Sequence, residues 1–369
     1  MLNVAIVIGT RPEAIKLAPV YRAFAAIADV TPTIVLTGQH GAVLNSFITL
    51  FDLDRRINLH ARGDSKSISE FGGRLLIRLG KLFETRQFDA VVVQGDTTSA
   101  LVGAMASAYA RIPVAHVEAG LRSNDFSEPF PEELNRKMLA SACRWHFAPT
   151  ELAAGNLYAE GFRDGIHIAG NTVVDAALWT AAHPVTALAL AKRFPGLKPR
   201  RIVLVTAHRR ESFGDPMQAI ATAIAGCAEA RPDLTFVVPL HPNPAASKPM
   251  RAALDDLANV CLTDPLSYPE LIGIMANAYA ILSDSGGLQE EAPSFGVPVL
   301  VLRNVTERPE GVDRGHNRLV GTGSDAIIAA FEKLAREGID YEARRALGNP
   351  FGDGQSGERI ARQIIEDCS

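Results

Sequence analysis

Residues 278–302 read AYAILSDSGGLQEEAPSFGVPVLVL, and this stretch decides how the fold is interpreted. An unbroken apolar run enters a polar turn, a segment with two glycines and two glutamates follows, and a second apolar run comes after it. Runs that are apolar at every position are typical of strands buried on both faces, and two such strands around a helix predict a parallel β-α-β unit. Gly286 and Gly287 leave backbone N–H groups accessible at the predicted helix N-terminus, and such N-termini commonly bind phosphate.

The same alternation of apolar runs and helical patterns extends along the whole chain. Two series of runs are present: 4–9, 33–38, 90–96, 113–120, 146–149 and 167–170, and then 202–208, 235–241, 259–263, 278–284, 297–303 and 318–322. Buried strands that alternate with helices predict an α/β fold with two Rossmann-like, doubly wound domains and a hinge near residue 171. Between the two series, residues 183–201 are rich in proline and basic side chains and are interpreted as a surface connection.

The composition describes an ordinary globular protein without a general affinity for polyanions. The chain has 369 residues, enough for two domains, with 47% hydrophobic and 21% charged residues. Its net charge of −4 predicts no binding to nucleic acid or to an anionic membrane. The N-terminal residues are interpreted as a first strand rather than a signal peptide, and no apolar stretch reaches the length of a membrane span.

The cysteines and glycines predict neither a metal nor a dinucleotide. Four cysteines are far apart in sequence and form no C-x-x-C, so we expect reduced thiols in a cytosolic protein: Cys143, Cys227, Cys261 and Cys368. Residues 352–357, GDGQSG, match G-x-G-x-x-G, but they follow no strand and precede only a terminal helix, so a loop is the better interpretation. The first strand–helix turn, IGTRPEAIK, does not match that fingerprint either, and we expect no NAD.

Polar residues that end the first series of strands form a candidate site, because ligands of open parallel sheets bind at the carboxyl ends of strands. Arg11 and Lys16 flank the first helix N-terminus, where they either bind a diphosphate or are a surface arginine and a solvated lysine. Asp96 ends a later strand and is either a site carboxylate or an ordinary N-cap. Glu118 ends the next strand beside a glycine, and a functional role is favoured because helix capping does not explain this position.

Further charged residues follow a predicted helix start and the second series of strands. Glu132 and Arg136 stand four apart in a helix, and taken alone they are best explained as an i,i+4 ion pair. His208 and Arg209 end a strand together, which predicts an anion site where His208 acts on a phosphate oxygen or as an acid. Arg308 lies in a polar loop and is either a surface residue or a bidentate phosphate ligand.

Eight motifs in register connect these residues to a known family. They are GTRPEAIK, QGDTTSA, HVEAGLRS, PEELNR, GNTVVDA, TAHRRESFG, SDSGGLQEEAPSFGVPVLVLR and TERPEG, and they span nearly the whole chain. In this order they resemble the non-hydrolysing UDP-N-acetylglucosamine 2-epimerases. The resemblance implies a GT-B fold, an α/β architecture of two Rossmann-like domains facing across a cleft. It implies an N-terminal domain, 1–170, onto which a terminal helix, 355–369, packs back, and a UDP-binding domain, 171–354.

The resemblance also implies an activity. Members of this family interconvert UDP-GlcNAc and UDP-ManNAc through anti-elimination of UDP, which leaves 2-acetamidoglucal, followed by readdition with C2 inverted. The implied protein is a cytoplasmic homodimer that uses neither metal nor NAD and supplies ManNAc units for surface polysaccharide.

The matching motifs imply two groups of site residues. The residues expected to contact UDP are Arg11, Lys16, His208, Ser285, Gly286, Gly287, Glu291 and Arg308. The residues expected to surround the sugar or to act in catalysis are Asp96, Glu118, Glu132, Arg136 and His208. Within these groups, Glu291 is expected to bind the ribose, and either Glu118 or Asp96 is expected to transfer the C2 proton.

Residues 37–47, TGQHGAVLNSF, depart from the family pattern. Many bacterial members read close to AQHREML here and use the loop in a second, activating UDP-GlcNAc site, whereas this chain has Gly41 and Ala42 in place of polar side chains. Activation by substrate is therefore not expected. Other functions stay open: a hydrolysing epimerase that releases ManNAc, a GT-B glycosyltransferase, against which the three carboxylates argue, and a nucleotide-sugar sensor. A modified sugar in place of GlcNAc also stays open.

Overall fold

The structure, a computed structural model, describes residues 1–368, with the side chain of Ala42 excepted. The chain forms two compact units. The N-terminal unit consists of residues 1–176 and the described residues from Gly352 onward, and the C-terminal unit is Ala177–Phe351.

The boundary between the units falls inside a helix, Thr172–Ala182, whereas the boundary expected from sequence, between 170 and 171, precedes that helix. The helix expected at 355–369 is observed as Ser356–Cys368, and Ser369 lies outside the described residues. The N-terminal unit is thus assembled from two separate stretches of chain.

Thirteen strands and sixteen α-helices alternate along the described chain. The strands are β1 (Leu2–Ile8), β2 (Val30–Leu36), β3 (Arg56–Asn58), β4 (Ala90–Gln94), β5 (Val114–Val117), β6 (Trp145–Ala148), β7 (Ile166–Ile168), β8 (Ile202–Thr206), β9 (Thr235–Pro239), β10 (Val260–Thr263), β11 (Ala278–Ser283), β12 (Val299–Val301) and β13 (Asn317–Leu319). The helices are α1 (Arg11–Ala25), α2 (Asn45–Leu50), α3 (Ile68–Thr85), α4 (Thr98–Tyr109), α5 (Glu132–Ala140), α6 (Glu151–Ala159), α7 (Thr172–Ala182), α8 (Pro184–Arg193), α9 (Asp215–Ala230), α10 (Pro244–Leu254), α11 (Tyr268–Asn277), α12 (Gly286–Glu291), α13 (Pro309–Asp313), α14 (Ser324–Glu337), α15 (Tyr341–Ala346) and α16 (Ser356–Cys368).

Each unit contains one parallel sheet with the same winding. The N-terminal order is β3-β2-β1-β4-β5-β6-β7, and the C-terminal order is β10-β9-β8-β11-β12-β13. Strand order reverses between β1 and β4 in one sheet and between β8 and β11 in the other, and ligands of such sheets bind at these switch points. The α/β prediction of two doubly wound sheets is confirmed.

Local sequence explains why these elements form. In β4, which reads AVVVQ, all five residues are buried, as expected for a central strand covered on both faces. Helix α1 begins after Thr10, with Pro12 in its first turn and Glu13 completing a capping box with Thr10. These features fix the point where the chain leaves β1 and starts α1.

Two sequence-based expectations need correction. Strand β3 was not predicted, because its three residues, only one of them apolar, form no apolar run at the sheet edge. The segment 183–201, expected to be a surface connection, contains α8, which packs on α11. A Cβ on Gly273 of α11 would lie 2.7 Å from Leu190 and 2.8 Å from Thr186, so the absence of a side chain there lets the two helices approach.

Helix α16 completes the N-terminal unit by packing on α1. A Cβ on Gly357 would lie 2.8 Å from the backbone of Pro19, so only glycine fits at this contact. The indole N–H of Trp145 donates to Asp367 at 2.6 Å. The loop 352–355, where the sequence matches G-x-G-x-x-G, leads directly into this helix.

In the described part of the chain, no single helix combines the length and apolarity needed to cross a membrane. Only the bent pair α7 and α8, taken together, passes that test of length and composition.

Candidate active site

The turn between β1 and α1 surrounds a buried carboxylate. Glu13 is not exposed, and its Oε2 accepts the N–H groups of Gly9 and Thr10 at 2.8 and 2.6 Å. The hydroxyl of Thr10 donates to the same oxygen at 2.9 Å, and the hydroxyl of Thr97, in the turn after β4, donates to Oε1. Burial raises the pKa of Glu13 to about 7, although these hydrogen bonds act against the shift. The two N–H groups are therefore used inside the protein rather than offered to a ligand.

Arg11 and Lys16, the predicted diphosphate ligands of α1, have different surroundings. The exposed guanidinium of Arg11 makes no hydrogen bond or ion pair with any residue that the structure describes, while its backbone N–H donates to His40 Nδ1 at 3.4 Å. The Lys16 ammonium forms an ion pair with Glu118, and both side chains are largely buried. Arg11 can thus bind an anion directly, whereas Lys16 connects α1 to the end of β5.

Glu118 has a strained backbone conformation, and several hydrogen-bond donors contact its carboxylate. Besides Lys16, its carboxylate accepts from Gln94 Nε2 and, at 3.4 Å, from Asn171 Nδ2. Its φ of +66° lies in the left-handed region, which costs a residue other than glycine about 1–3 kcal/mol and is often found at functional sites. Two residues later, Gly120 also has a positive φ, and a Cβ there would lie 2.1 Å from the carbonyl oxygen of Ala153. Glu118 is therefore the foremost candidate for a catalytic carboxylate.

The prediction of an i,i+4 ion pair between Glu132 and Arg136 is wrong. Arg136 instead donates to Asp96 Oδ2 through Nε at 2.9 Å and contacts it through Nη2 at 2.7 Å. It also donates through Nη1 to the buried Glu133 at 3.1 Å. Glu132 is partly exposed and makes no hydrogen bond or ion pair with the part of the chain that the structure describes. Asp96 and Arg136 therefore lie together as expected, with Glu133 rather than Glu132 beside them.

The loop after β2, singled out by its departure from the family pattern, lies against the same sheet edge. Gln39 accepts from the hydroxyl of Ser99 at 2.6 Å, and His40 accepts the N–H of Arg11. A Cβ on Gly41 would meet nothing within 4 Å, and the side chain of Ala42 lies outside the described residues.

In the C-terminal unit, Asp284 ties the turn after β8 to the turn after β11. Asp284 is fully buried, and its Oδ2 accepts the N–H groups of His208 and Arg209, both at 2.7 Å. The imidazole Nδ1 of His208 lies 3.3 Å from Oδ1, and its ring stacks on His241 with centroids 5.6 Å apart. The side chain of His208 remains 41% exposed, so it can reach a ligand while Asp284 holds its backbone.

Arg308 lies in a slot formed by Gly286 and two carboxylates. Its Nε donates to the buried Glu290 at 2.9 Å, and Nη1 donates to Glu307 at 2.6 Å. A Cβ on Gly286 would lie 2.9 Å from the guanidinium carbon of Arg308. Gly286 is thus needed for the close approach of Arg308 as well as for an open helix start.

The remaining predicted UDP ligands lie around the short helix α12. Ser285 precedes it, and the Ser285 N–H donates to Ser283 Oγ at 2.9 Å. A Cβ on Gly287 would have no neighbour closer than 3.9 Å, so this glycine leaves open space. Glu291, 5% exposed, accepts from the hydroxyl of Tyr268 at 3.1 Å. The pKa of Tyr268 is raised well above its usual range, mainly because the hydroxyl is buried and also because the Glu291 carboxylate lies beside it.

Sequence reasoning missed several buried partners of the site residues. They are Glu13, Glu133, Tyr268 and Glu290, while Asp284 is among the polar residues at the predicted strand ends and only its bonds to the turn after β8 are not indicated by the sequence. Only Glu13 had a recognisable signal, because Thr10 and Glu13 match the T-x-x-E pattern of a capping box. The others are identified by contacts between residues distant in sequence or by choices between adjacent acids, which local patterns do not resolve.

A cavity of about 660 Å³ lies at the opposite, amino-terminal edge of the C-terminal sheet. Its lining includes Arg193 and Arg201, which pair with Glu270 and Asp233, and the exposed Lys198. Among residues 1–368, no group of three or more His, Cys, Asp or Glu side chains is arranged to hold a metal ion.

Comparisons with known proteins identify relatives that match nearly the whole chain. The sequence model of the family described as UDP-N-acetylglucosamine 2-epimerase matches residues 22–365. The UDP-N-acetylglucosamine 2-epimerase of Escherichia coli (strain K12) is 40% identical over 98% of both chains. The crystal structure of UDP-GlcNAc 2-epimerase from Neisseria meningitidis bound to UDP-GlcNAc is 37% identical, with a TM-score of 0.88, and covers 99% of this chain and 100% of its own. The Methanocaldococcus jannaschii enzyme in complex with UDP-GlcNAc and UDP is 33% identical, with a TM-score of 0.77 and the same coverage of both chains.

Two doubly wound parallel sheets with these structural neighbours define an α/β protein of the GT-B fold. Similarity of this extent covers both units of the chain. The chain belongs to the UDP-N-acetylglucosamine 2-epimerase family.

Proposed function

We propose that the protein is a non-hydrolysing epimerase that interconverts UDP-GlcNAc and UDP-ManNAc. The observation that carries the proposal is Glu118, a buried carboxylate in a strained left-handed conformation at the end of β5. The relatives solved with UDP-GlcNAc or UDP bound support the choice of substrate.

The chemistry requires a good leaving group, because no carbonyl activates the proton on C2. A carboxylate takes this proton while the bond between C1 and the UDP oxygen breaks, so that a C1–C2 double bond forms and UDP leaves as an anion. Readdition of UDP with a proton delivered to the opposite face of C2 gives the epimer. Carboxylates that exchange a proton at C2 and cations that stabilise the leaving diphosphate are the groups this reaction needs.

In the N-terminal unit we assign proton transfer at C2 to Glu118 and Asp96. Each has a cationic partner, Lys16 for Glu118 and Arg136 for Asp96, which holds the carboxylate in one orientation. Glu132 is assigned a contact with the sugar, supported by its partial exposure and its freedom from other described residues. Which carboxylate acts as base in a given direction follows from the C2 configuration of the bound sugar.

In the C-terminal unit we assign UDP binding to the groups around α12. Arg308 and His208 stabilise the diphosphate, together with the backbone at Ser285–Gly287, and Glu291 accepts from the ribose hydroxyls. Support for the role of Arg308 comes from its fixed orientation between two carboxylates, because an ordered guanidinium loses little entropy when it binds phosphate. Arg11 and Lys16 are assigned to phosphate contacts from the N-terminal unit.

We further propose a cytoplasmic homodimer that supplies ManNAc units for surface polysaccharide. The four cysteines are free thiols, which suits a reducing compartment. The reaction needs no redox change, and the assigned residues perform it without a metal or NAD.

Proton NMR of UDP-GlcNAc with the purified protein in D2O tests the proposal. We expect UDP-ManNAc to appear with deuterium at C2, because the removed proton exchanges with solvent before readdition. Intact UDP-GlcNAc with no deuterium at C2 would refute the epimerase assignment. Free ManNAc without UDP-ManNAc would instead indicate a hydrolysing enzyme, and turnover only with an added acceptor would indicate a glycosyltransferase.

A further inference from the structure

Glu13 joins two turns that carry different site residues. Its donors in the β1–α1 turn are Gly9 and Thr10, and its donor in the β4–α4 turn is Thr97. The strands that lead into these turns are neighbours across the switch point of the sheet. Arg11 directly follows Thr10 in the chain, and Asp96 directly precedes Thr97.

The two turns are tightly packed against each other at Gly9. A Cβ on Gly9 would lie 2.0 Å from Ser99 Oγ and 2.6 Å from Thr37 Oγ1, so the first turn rests directly on the start of α4. Thr97 has two roles at once, because its Oγ1 donates to Glu13 and accepts the N–H of Ala100 as the N-cap of α4. Loss of its hydroxyl would therefore remove both the hydrogen bond that links the two turns and the N-cap of α4.

The C-terminal unit also has a buried carboxylate that bridges the two turns at its switch point. Asp284, after β11, accepts backbone N–H groups from the turn after β8, and these two strands are also neighbours across their switch point. In both sheets a fully buried carboxylate thus connects the two turns that carry ligand-binding residues.

We propose that Glu13 is a positioning residue that holds Arg11 and Asp96 in register through its bond to Thr97. The inference rests on the proposed function, because it assigns a purpose to Glu13 only in relation to those two residues. Glu13 is fully buried, so it acts through the turns and not on the substrate. A misplacement of about 1 Å in catalytic groups can reduce turnover by roughly a hundredfold.

Thr97→Val and Thr97→Ser form the first test. Valine keeps the shape and removes the hydroxyl, and we expect kcat to fall by roughly 10- to 100-fold with a smaller change in KM. Serine restores the hydroxyl and should recover most of that loss. The control is Thr150→Val, because Thr150 is also an N-cap, at the start of α6, and accepts from the N–H of Ala153 at 3.3 Å without a carboxylate partner among the described residues. Thr150 is buried, whereas Thr97 is partly exposed.

Thr150→Val should lower Tm by about as much as Thr97→Val and keep kcat within about twofold of wild type. A Thr97→Val enzyme with equal loss of Tm and unchanged kcat would overturn the inference, because Thr97 would then be only a helix cap. Thr97→Val should also have a smaller effect on kcat in a Glu13→Ala background, since the bond it removes is already lost there. If the effects of the two substitutions on kcat are fully additive, the proposal is contradicted. If Glu13→Ala does not fold, the comparison of Thr97→Val, Thr97→Ser and Thr150→Val tests the proposal by itself.

Measurement of C2 exchange by the wild-type enzyme distinguishes failure of the proposed function from failure of the inference about Glu13. No C2 exchange by the wild type would overturn the proposed function and this inference with it. Exchange by the wild type with full activity of Thr97→Val would overturn the inference alone.

Discussion

Replacement of Glu118 by glutamine isolates the charge of the proposed catalytic carboxylate. The three neighbours described above are all donors: Lys16 Nζ, Gln94 Nε2 and Asn171 Nδ2. A glutamine keeps one acceptor oxygen and turns an N–H2 group toward one of these donors. The clash is relieved if the amide of Gln94 rotates by half a turn and presents its oxygen, so the variant is expected to fold.

The effects on activity and stability should differ in size. Loss of a positioned acid or base reduces turnover by about two to four orders of magnitude, or about 2.7–5.4 kcal/mol in the activation barrier. An imperfectly satisfied buried polar group costs about 1–3 kcal/mol of stability. For a unit of this size that corresponds to a loss in Tm of about 2–4 °C per kcal/mol. At 25 °C the variant should therefore be folded and nearly inactive.

Steady-state conversion of UDP-GlcNAc, thermal melting and calorimetric titration with UDP measure the three quantities. UDP affinity should change by less than about threefold, because the groups assigned to the diphosphate other than Lys16 do not contact Glu118. Glu160→Gln is the matched control, since Glu160, at the C-terminal end of α6, also pairs with cations, Arg122 and Lys137, and is assigned no contact with the substrate. It should lose stability and keep turnover within about twofold. Near-normal turnover in Glu118→Gln, or an equal loss in Glu160→Gln, would show that Glu118 is structural.

Three further predictions concern other parts of the protein. Gly286→Ala would place a Cβ 2.9 Å from the Arg308 guanidinium, so UDP affinity should fall by roughly tenfold, whereas Gly73→Ala, in open space on α3, should leave titrations with UDP unchanged. Burial lowers the pKa of His116 to about 3, so the unfolded chain binds its proton first and stability is lost as pH falls below about 6.5; His116→Gln should show a smaller drop in Tm between pH 7 and pH 5 than wild type. Because residues 39–42 lack polar side chains at two positions, the rate should depend hyperbolically on UDP-GlcNAc, and the reverse reaction should start without it. A sigmoidal curve would contradict this last expectation.

The fold could be predicted because burial leaves a direct mark on sequence. Strands covered on both faces are apolar at nearly every position, and twelve of the thirteen observed strands overlap a predicted run. The exception, β3, lies at a sheet edge where this requirement does not apply. Parallel pairing then brings the strand ends to one edge, so the general location of the site follows from the same pattern.

The pairing of charged groups could not be predicted, because it depends on distances between turns. The helical spacing favoured Glu132 as the partner of Arg136, but the folded chain brings Asp96, forty positions away, to the same guanidinium. Glu13 likewise matched a local capping pattern, and nothing in the sequence indicated its bond to Thr97. Sequence pattern thus predicts which groups form the candidate site, and that assignment stays a prediction, but it does not indicate the contacts that hold these groups in place.

The return of α16 to the N-terminal unit has a consequence for biosynthesis. A nascent chain emerges from the ribosome with its N-terminus first, and domains usually fold as they emerge. Here α1 is synthesised before the C-terminal unit, yet its partner helix comes after the whole of Ala177–Phe351. The surface around Pro19 that Gly357 covers therefore stays exposed throughout translation of the C-terminal unit. A nascent chain lacking residues 352–368 should bind chaperones or aggregate, and rare codons between those for the C-terminal unit and those for α16 would prolong that exposure.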